Sequence, residues 1–167
     1  NYLGPQETYT KKQAIATADR TPLTQLADTY NMVLLYSNLY LDENIQLICH
    51  IVPEIKKFIF IGDARQINQT NNLDIRNKLK KTHPNVEYQF ITPQDMTTNQ
   101  LLDSLYFVDP KTTGVLFSSW FYKTTFAGNT SLVSNAHKLI GTTAAPIFTL
   151  NMADITEENG GMIGGYT

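Results

Sequence analysis

Leu41-Asp-Glu-Asn-Ile-Gln-Leu-Ile-Cys-His-Ile-Val-Pro53, followed by Lys56-Lys-Phe-Ile-Phe-Ile-Gly-Asp63, is the stretch that decides the fold class. In its first part Ile45, Ile48 and Val52 recur at helical spacing, with Leu47 and Ile51 widening the stripe. Asp42 is placed to cap the start, and Pro53 ends the helix because proline supplies no amide hydrogen. The second part, Phe58 to Ile61, is a short unbroken apolar run closed by Gly62-Asp63. Such a run fits a strand buried on both faces, which is the mark of a parallel sheet.

Working outward, the same alternation continues. Upstream, Met32-Val-Leu-Leu-Tyr36 is another continuous apolar run. Downstream, a polar helix is expected over residues 71–81, with Leu73, Ile75 and Leu79 inward and Lys78, Lys80 and Lys81 near its C-terminus, where cations suit the helix dipole. Val86-Glu-Tyr-Gln-Phe90 alternates and reads as a half-exposed strand near a sheet edge. Thr97 or Thr98 caps a helix carrying Leu101, Leu102 and Leu105, which stops before Asp109-Pro110. Gly114-Val-Leu-Phe117 is the next strand. Asn129 is expected to open a helix through Leu132, Val133, Ala136, Leu139 and Ile140, ended by Gly141. Pro146-Ile-Phe-Thr-Leu150 is the fifth strand, and Gly160 to Tyr166 reads as a short sixth between glycine turns. Strands alternating with helices predict a doubly wound α/β sheet of about five parallel strands, in flavodoxin-like order 2-1-3-4-5, with helices on both faces.

Residues 1–31 are polar and weakly patterned, and read as a linker with partial helix over Lys11 to Arg20 and Pro22 to Tyr30, Thr21-Pro22 forming a helix start. Residues 32–167 form the α/β lobe. The chain of 167 residues is 42% hydrophobic, which excludes an extended disordered chain. Its net charge of -2 implies no basic face, so nucleic acid is not an expected partner. No apolar run approaches the roughly 20 residues a membrane-spanning helix needs, and the polar start at Asn1 carries no signal peptide. Asn1 in place of an initiator methionine leads us to expect a piece of a longer protein. The single Cys49 excludes an internal disulfide framework and reads as a small packing residue.

In doubly wound sheets ligands sit beyond the carboxyl ends of the strands. That rim holds Ser37 to Tyr40, Gly62 to Arg65, Thr92-Pro93, Ser118 to Tyr122 and Asn151 to Asp154. Its hydroxyls, amides, carboxylates and aromatics suit a small polar ligand. The candidate ligand-binding residues are Asn38, Asp63, Trp120, Tyr122 and Asp154. Three of them have a plainer role beside it: Asp63 capping its own turn, Trp120 lidding the core, Asp154 sitting in a solvated turn. His50, His83 and His137 have no ligand spacing, so no metal or cofactor is expected. A phosphoryl-receiver site, a G-x-G-x-x-G turn, a P-loop and a G-x-S-x-G elbow are all missing from the places where each would have to stand, and no catalytic residues are assigned.

The Leu41–Pro53 and Lys56–Gly62 segments resemble the start of the second lobe of type I periplasmic-binding-protein-like domains. Thr113-Gly-Val-Leu-Phe-Ser-Ser-Trp120, Ala145-Pro-Ile-Phe-Thr-Leu150 and Gly160-Gly-Met-Ile-Gly-Gly-Tyr166 are similar to later parts of that lobe. The nearest branch is the ABC-substrate-binding-like sensor domain of bacterial two-component histidine kinases, hybrid ones included. The resemblance covers about residues 32–167, while residues 1–31 are longer than the family's usual inter-lobe stretch. It implies an extracytoplasmic lobe that binds a small polar ligand reversibly, closes with a first lobe, and signals to a membrane-linked kinase without catalysis. By position it sets Asn38, Asp63, Trp120, Tyr122 and Asp154 on the cleft side. The alternatives are the solute-binding component of an ABC transporter, a small α/β enzyme, and an interaction module that forms a homodimer through the face a first lobe would cover.

Overall fold

The computed structural model describes residues 2–3, 21–22, 29–30, 39–63, 65–123, 130–132, 140–141, 143–150 and 161. The chain divides into two compact units, Asn1–Asn38 with Gly165–Thr167, and Leu39–Gly164. In the first unit β1 (Tyr2–Leu3) pairs antiparallel with β2 (Thr21–Pro22). Thr21-Pro22 is therefore strand and does not start a helix. Proline's fixed φ suits the extended chain, and the end of a two-residue ladder tolerates the missing amide hydrogen.

Among the described residues the second unit is built around four parallel strands. They are β3 (Lys57–Ile61), β4 (Glu87–Ile91), β5 (Thr113–Phe117) and β8 (Ile147–Thr149), in the spatial order β4-β3-β5-β8. Counted along the chain from β3, this is the order 2-1-3-4. The sequence count began one strand earlier, at Met32–Tyr36, a run that lies outside the described residues. It set that run beside the strand at 86–90, whereas the structure pairs Phe60 directly with Phe90 and with Leu116. The strand from Lys57 thus holds the central place. As expected of the Val86–Phe90 alternation, β4 is the edge strand, and its residues are exposed or half-buried up to Ile91.

Alternation along the strands builds a core on each face of the sheet. Phe58, Phe60, Leu116 and Phe148 pack with Ile45 and Ile48 of α1 (Leu41–Ile51) and with Ile75 and Leu79 of α2 (Gln66–Thr82). Ile59, Ile61, Ile91, Val115 and Phe117 pack with Leu101 and Leu105 of α3 (Thr98–Tyr106), and with Trp120 and Ile140. Each such side chain contributes about 1.5–3 kcal/mol relative to an exposed position. Gly114 is required by the close seating of α1 on β5, because a Cβ there would run into Ile48 Cγ2.

The helices correct several details of the sequence expectation. Asp42 does not cap α1: Tyr40 is the cap residue, with φ 45° in the left-handed region, and the Asn44 side-chain amide donates to its carbonyl at 2.9 Å. Asp42 instead pairs with Lys78 of α2 at 2.6 Å. Ile51 is 52% exposed and lies off the apolar face. The second helix starts five residues before the expected Asn71, and Leu73 is half-exposed. Leu73 and Ile75 are separated by about 200° around a helix, so both cannot face inward. The inward positions before Ile75 are Asn68 and Asn71, both buried. Thr97 caps α3 through a reciprocal capping box with Gln100, as its threonine and glutamine spacing requires.

Helix was expected from Asn129 onward. The structure instead pairs β7 (Thr130–Leu132) antiparallel with β6 (Phe121–Lys123), and only Ile140 and Gly141 of the expected span are described as helical. The β-branched Thr130 and the short apolar spacing allow a two-strand ladder, which the helical count overlooked. Residues 133–139 and the expected strand near Gly160 to Tyr166 lie outside the described residues, Gly161 excepted.

Candidate functional site

The chain leaves β3 through α2 to β4 on one side. It returns through α3 to β5 on the other side of β3, with the two helices on opposite faces. The carboxyl ends of β3 and β5 therefore flank the switch point of the sheet, where loops diverge and leave a crevice. Gly62-Asp63 follows β3 there, and Ser118-Ser119-Trp120 follows β5. The Ser118 amide donates to the Ile61 carbonyl at 2.9 Å, which holds the two loops side by side.

Asp63 is 1% exposed, and its carboxylate gathers donors from three elements. Arg65 donates to it from its backbone amide at 2.9 Å and from Nε at 2.9 and 3.0 Å. Asn68 Nδ2 donates to Oδ1 at 2.9 Å, and Ser119 Oγ donates to Oδ2 at 2.7 Å. The same Asn68 amide also donates to Ser119 Oγ at 2.8 Å, closing the network. Burial works to raise the carboxyl pKa, but the Arg65, Ser119 and backbone hydrogen bonds outweigh it, and the group is held below the ordinary carboxylate range. A carboxylate so stabilised is a weak base, and its lone pairs are already taken. It organises the two loops and the start of α2. One atom of the network stays unmatched: Asn68 Oδ1 is buried without a hydrogen-bond partner.

Beside this network lies a cleft of about 430 Å³, on the α3 face of the same edge. It is lined by Pro93, Gln94, Met96, Thr97, Thr98 and Asn99 of the β4–α3 segment and by Trp120. The loop into it is tightened by Asp95, whose Oδ2 accepts from the Thr92 amide at 3.1 Å and hydroxyl at 2.7 Å. The indole of Trp120 is 1% exposed, and its Nε1 donates to Thr98 Oγ1 at 3.0 Å. Its ring packs into the α3-side core, so its main contact is with the protein. Farther along the edge, Gly161 comes so close to β8 that a Cβ would meet the Thr149 carbonyl, with Asn44 Oδ1 at 3.1 Å from the same point.

Of the five candidate residues, Asp63 and Trp120 are placed. The Asp63–Ser119 hydrogen bond brings Asp63 against the loop that carries Trp120. Asn38 and Asp154 lie outside the described residues, and Tyr122 is described only as the β6 residue paired with Ser131. Sequence reasoning missed Asn68, Gln94 and Asn99. Asn68 was legible in principle, since positions 68, 71, 75 and 79 form one helical stripe that ends in two apolar residues. Gln94 and Asn99 carry no pattern, because their role depends on where the β4–α3 loop meets Trp120. Compared with known proteins, the chain matches no family model, no curated protein and no solved structure.

Proposed function

We propose that this chain is a reversible small-molecule-binding lobe, the extracytoplasmic sensing part of a bacterial sensor histidine kinase. It takes a small polar ligand at the carboxyl edge of its sheet and signals by closing with a first lobe of the parent protein. The proposed lobe is a doubly wound sheet of about five parallel strands in flavodoxin-like order. The observation that carries the binding role is the Asp63–Arg65–Asn68–Ser119 network at the switch point between β3 and β5. It spends its polar groups on fixing the loops, as a rigid binding rim requires, and its carboxylate is held ionised, unsuited to shuttling protons. The sensor role, the kinase and the extracytoplasmic setting rest on the resemblance of Leu41–Gly62 and the later segments to periplasmic-binding-protein-like domains.

A thermal-shift screen with sugars, polyols, amino acids and carboxylates tests the binding role. A ligand of the folded state raises the melting temperature with its concentration, and is expected to be recovered chemically unchanged. Consumption of the ligand, or no shift from any class, would contradict the proposal.

A further inference from the structure

We infer that the cleft between the β4–α3 loop and Trp120 takes an uncharged, hydroxyl-bearing ring compound of the monosaccharide or cyclic-polyol class. The inference deepens the reversible-binding reading and rests on it. Every described residue lining the cleft is uncharged. Of the described carboxylates beside it in the chain fold, Asp95 accepts hydrogen bonds from Thr92, and Asp63 is paired with Arg65 and bonded to Asn68 and Ser119. At the start of α3 the capping box occupies the Gln100 amide and returns the Gln100 side chain to Thr97, so part of the helix terminus that would attract an anion is already satisfied. Among the described residues that line the cleft an ion finds no opposite charge, and giving up its water there is costly.

A neutral polyol meets the opposite situation. The side-chain amides of Gln94 and Asn99 each offer two donors and an acceptor, and hydroxyls both give and accept hydrogen bonds. Thr98 Oγ1 accepts from the indole, which leaves its own proton to donate. Pro93 and Met96, both partly exposed, supply the apolar patch that the C–H face of a sugar ring covers.

The test is calorimetry and amide NMR on the 167-residue chain with two sets of probes. One set is D-glucose, D-galactose, D-ribose and myo-inositol; the other is L-glutamine, L-aspartate, succinate and inorganic phosphate. At least one member of the first set is expected to saturate at millimolar or lower concentration, and no member of the second. The double variant Gln94→Leu/Asn99→Leu is expected to weaken that binding at least tenfold with an unchanged melting temperature, both side chains being exposed. Phe107→Ala, on the far end of α3, should leave it unchanged. Saturation by a charged probe alone overturns the neutral-ligand inference and leaves the binding-lobe reading standing. Sugar binding untouched by the double variant overturns the cleft as its place. No binding from either set overturns both.

Discussion

Asp63 sits where two loops and a helix start must be held together, and its worth is open to measurement. Asp63→Ala would strand the Ser119 hydroxyl proton and one N–H of the Asn68 amide, the other keeping its bond to Ser119, at a cost of about 1–3 kcal/mol for unsatisfied donors. Urea unfolding at neutral pH checks this. The pH dependence has a definite sign. The folded pKa lies below the ordinary 3.8, so around that value the unfolded chain binds more protons than the folded one. The carboxylate's contribution is complete above that unfolded value and is lost as pH falls through the lower, folded one. Unfolding curves from pH 6 to pH 2 are therefore expected to show an acid-side loss of stability that Asp63→Asn reduces. An identical acid limb in the variant would show that the network gives the carboxylate no preference for its charged form. Gly114 offers a second single-residue test. Gly114→Ala drives a methyl into Ile48 and is expected to cost about 1–3 kcal/mol as overpacking. In combination with Ile48→Ala the two losses should sum to less than their separate values, since the smaller side chain admits the methyl.

Helix α3 shows how far an element can be read before its structure is known. Its start was legible because Thr97 and Gln100 stand at capping-box spacing, and Leu101 and Leu105 were legible because both fall on one helical face. Thr97→Ala is expected to cost about 0.5–2 kcal/mol. Leu105→Ala should cost about 2–5 kcal/mol, whereas Phe107→Ala, 84% exposed, should stay within about 0.5 kcal/mol of neutral. Denaturant titration of the three variants checks the series, and a large loss from Phe107→Ala would mean that the exposed ring is covered. Helix α2 was read less well. Its N-terminal half turns Asn68 and Asn71 inward, and buried amides are invisible to a search for apolar periodicity. Asn68 is inward because it bonds Asp63 and Ser119, whereas the Asn71 amide nitrogen is buried without a hydrogen-bond partner. The stretch around Asn129 failed for a different reason: a three-residue ladder depends on its partner strand, which no local pattern announces. Trp120 was left between core lid and ligand platform. Its burial and its bond to Thr98 give the first role physical content, so Trp120→Ala is expected to cost about 3–5 kcal/mol of stability.

For the molecule as a whole, parallel strand pairing gathers the site from segments far apart in the chain. Asp63, Thr97 and Ser119 stand at one edge because β3, β4 and β5 all run toward it. The α/β class was legible from alternating apolar runs and helical stripes. The place of β3 at the centre was not, since nothing local tells a central strand from its neighbour when both are fully apolar. The central claim is that this carboxyl edge, and no other surface, is where a ligand is held. Amide chemical-shift mapping during titration with the neutral sugars and cyclic polyols tests it most directly. The account expects the shifts to concentrate in residues 62–68, 92–99 and 118–120, with residues 53–57, 83–87 and 106–112 at the opposite edge unmoved. Shifts centred on that opposite edge, or none at saturating concentration, would contradict it.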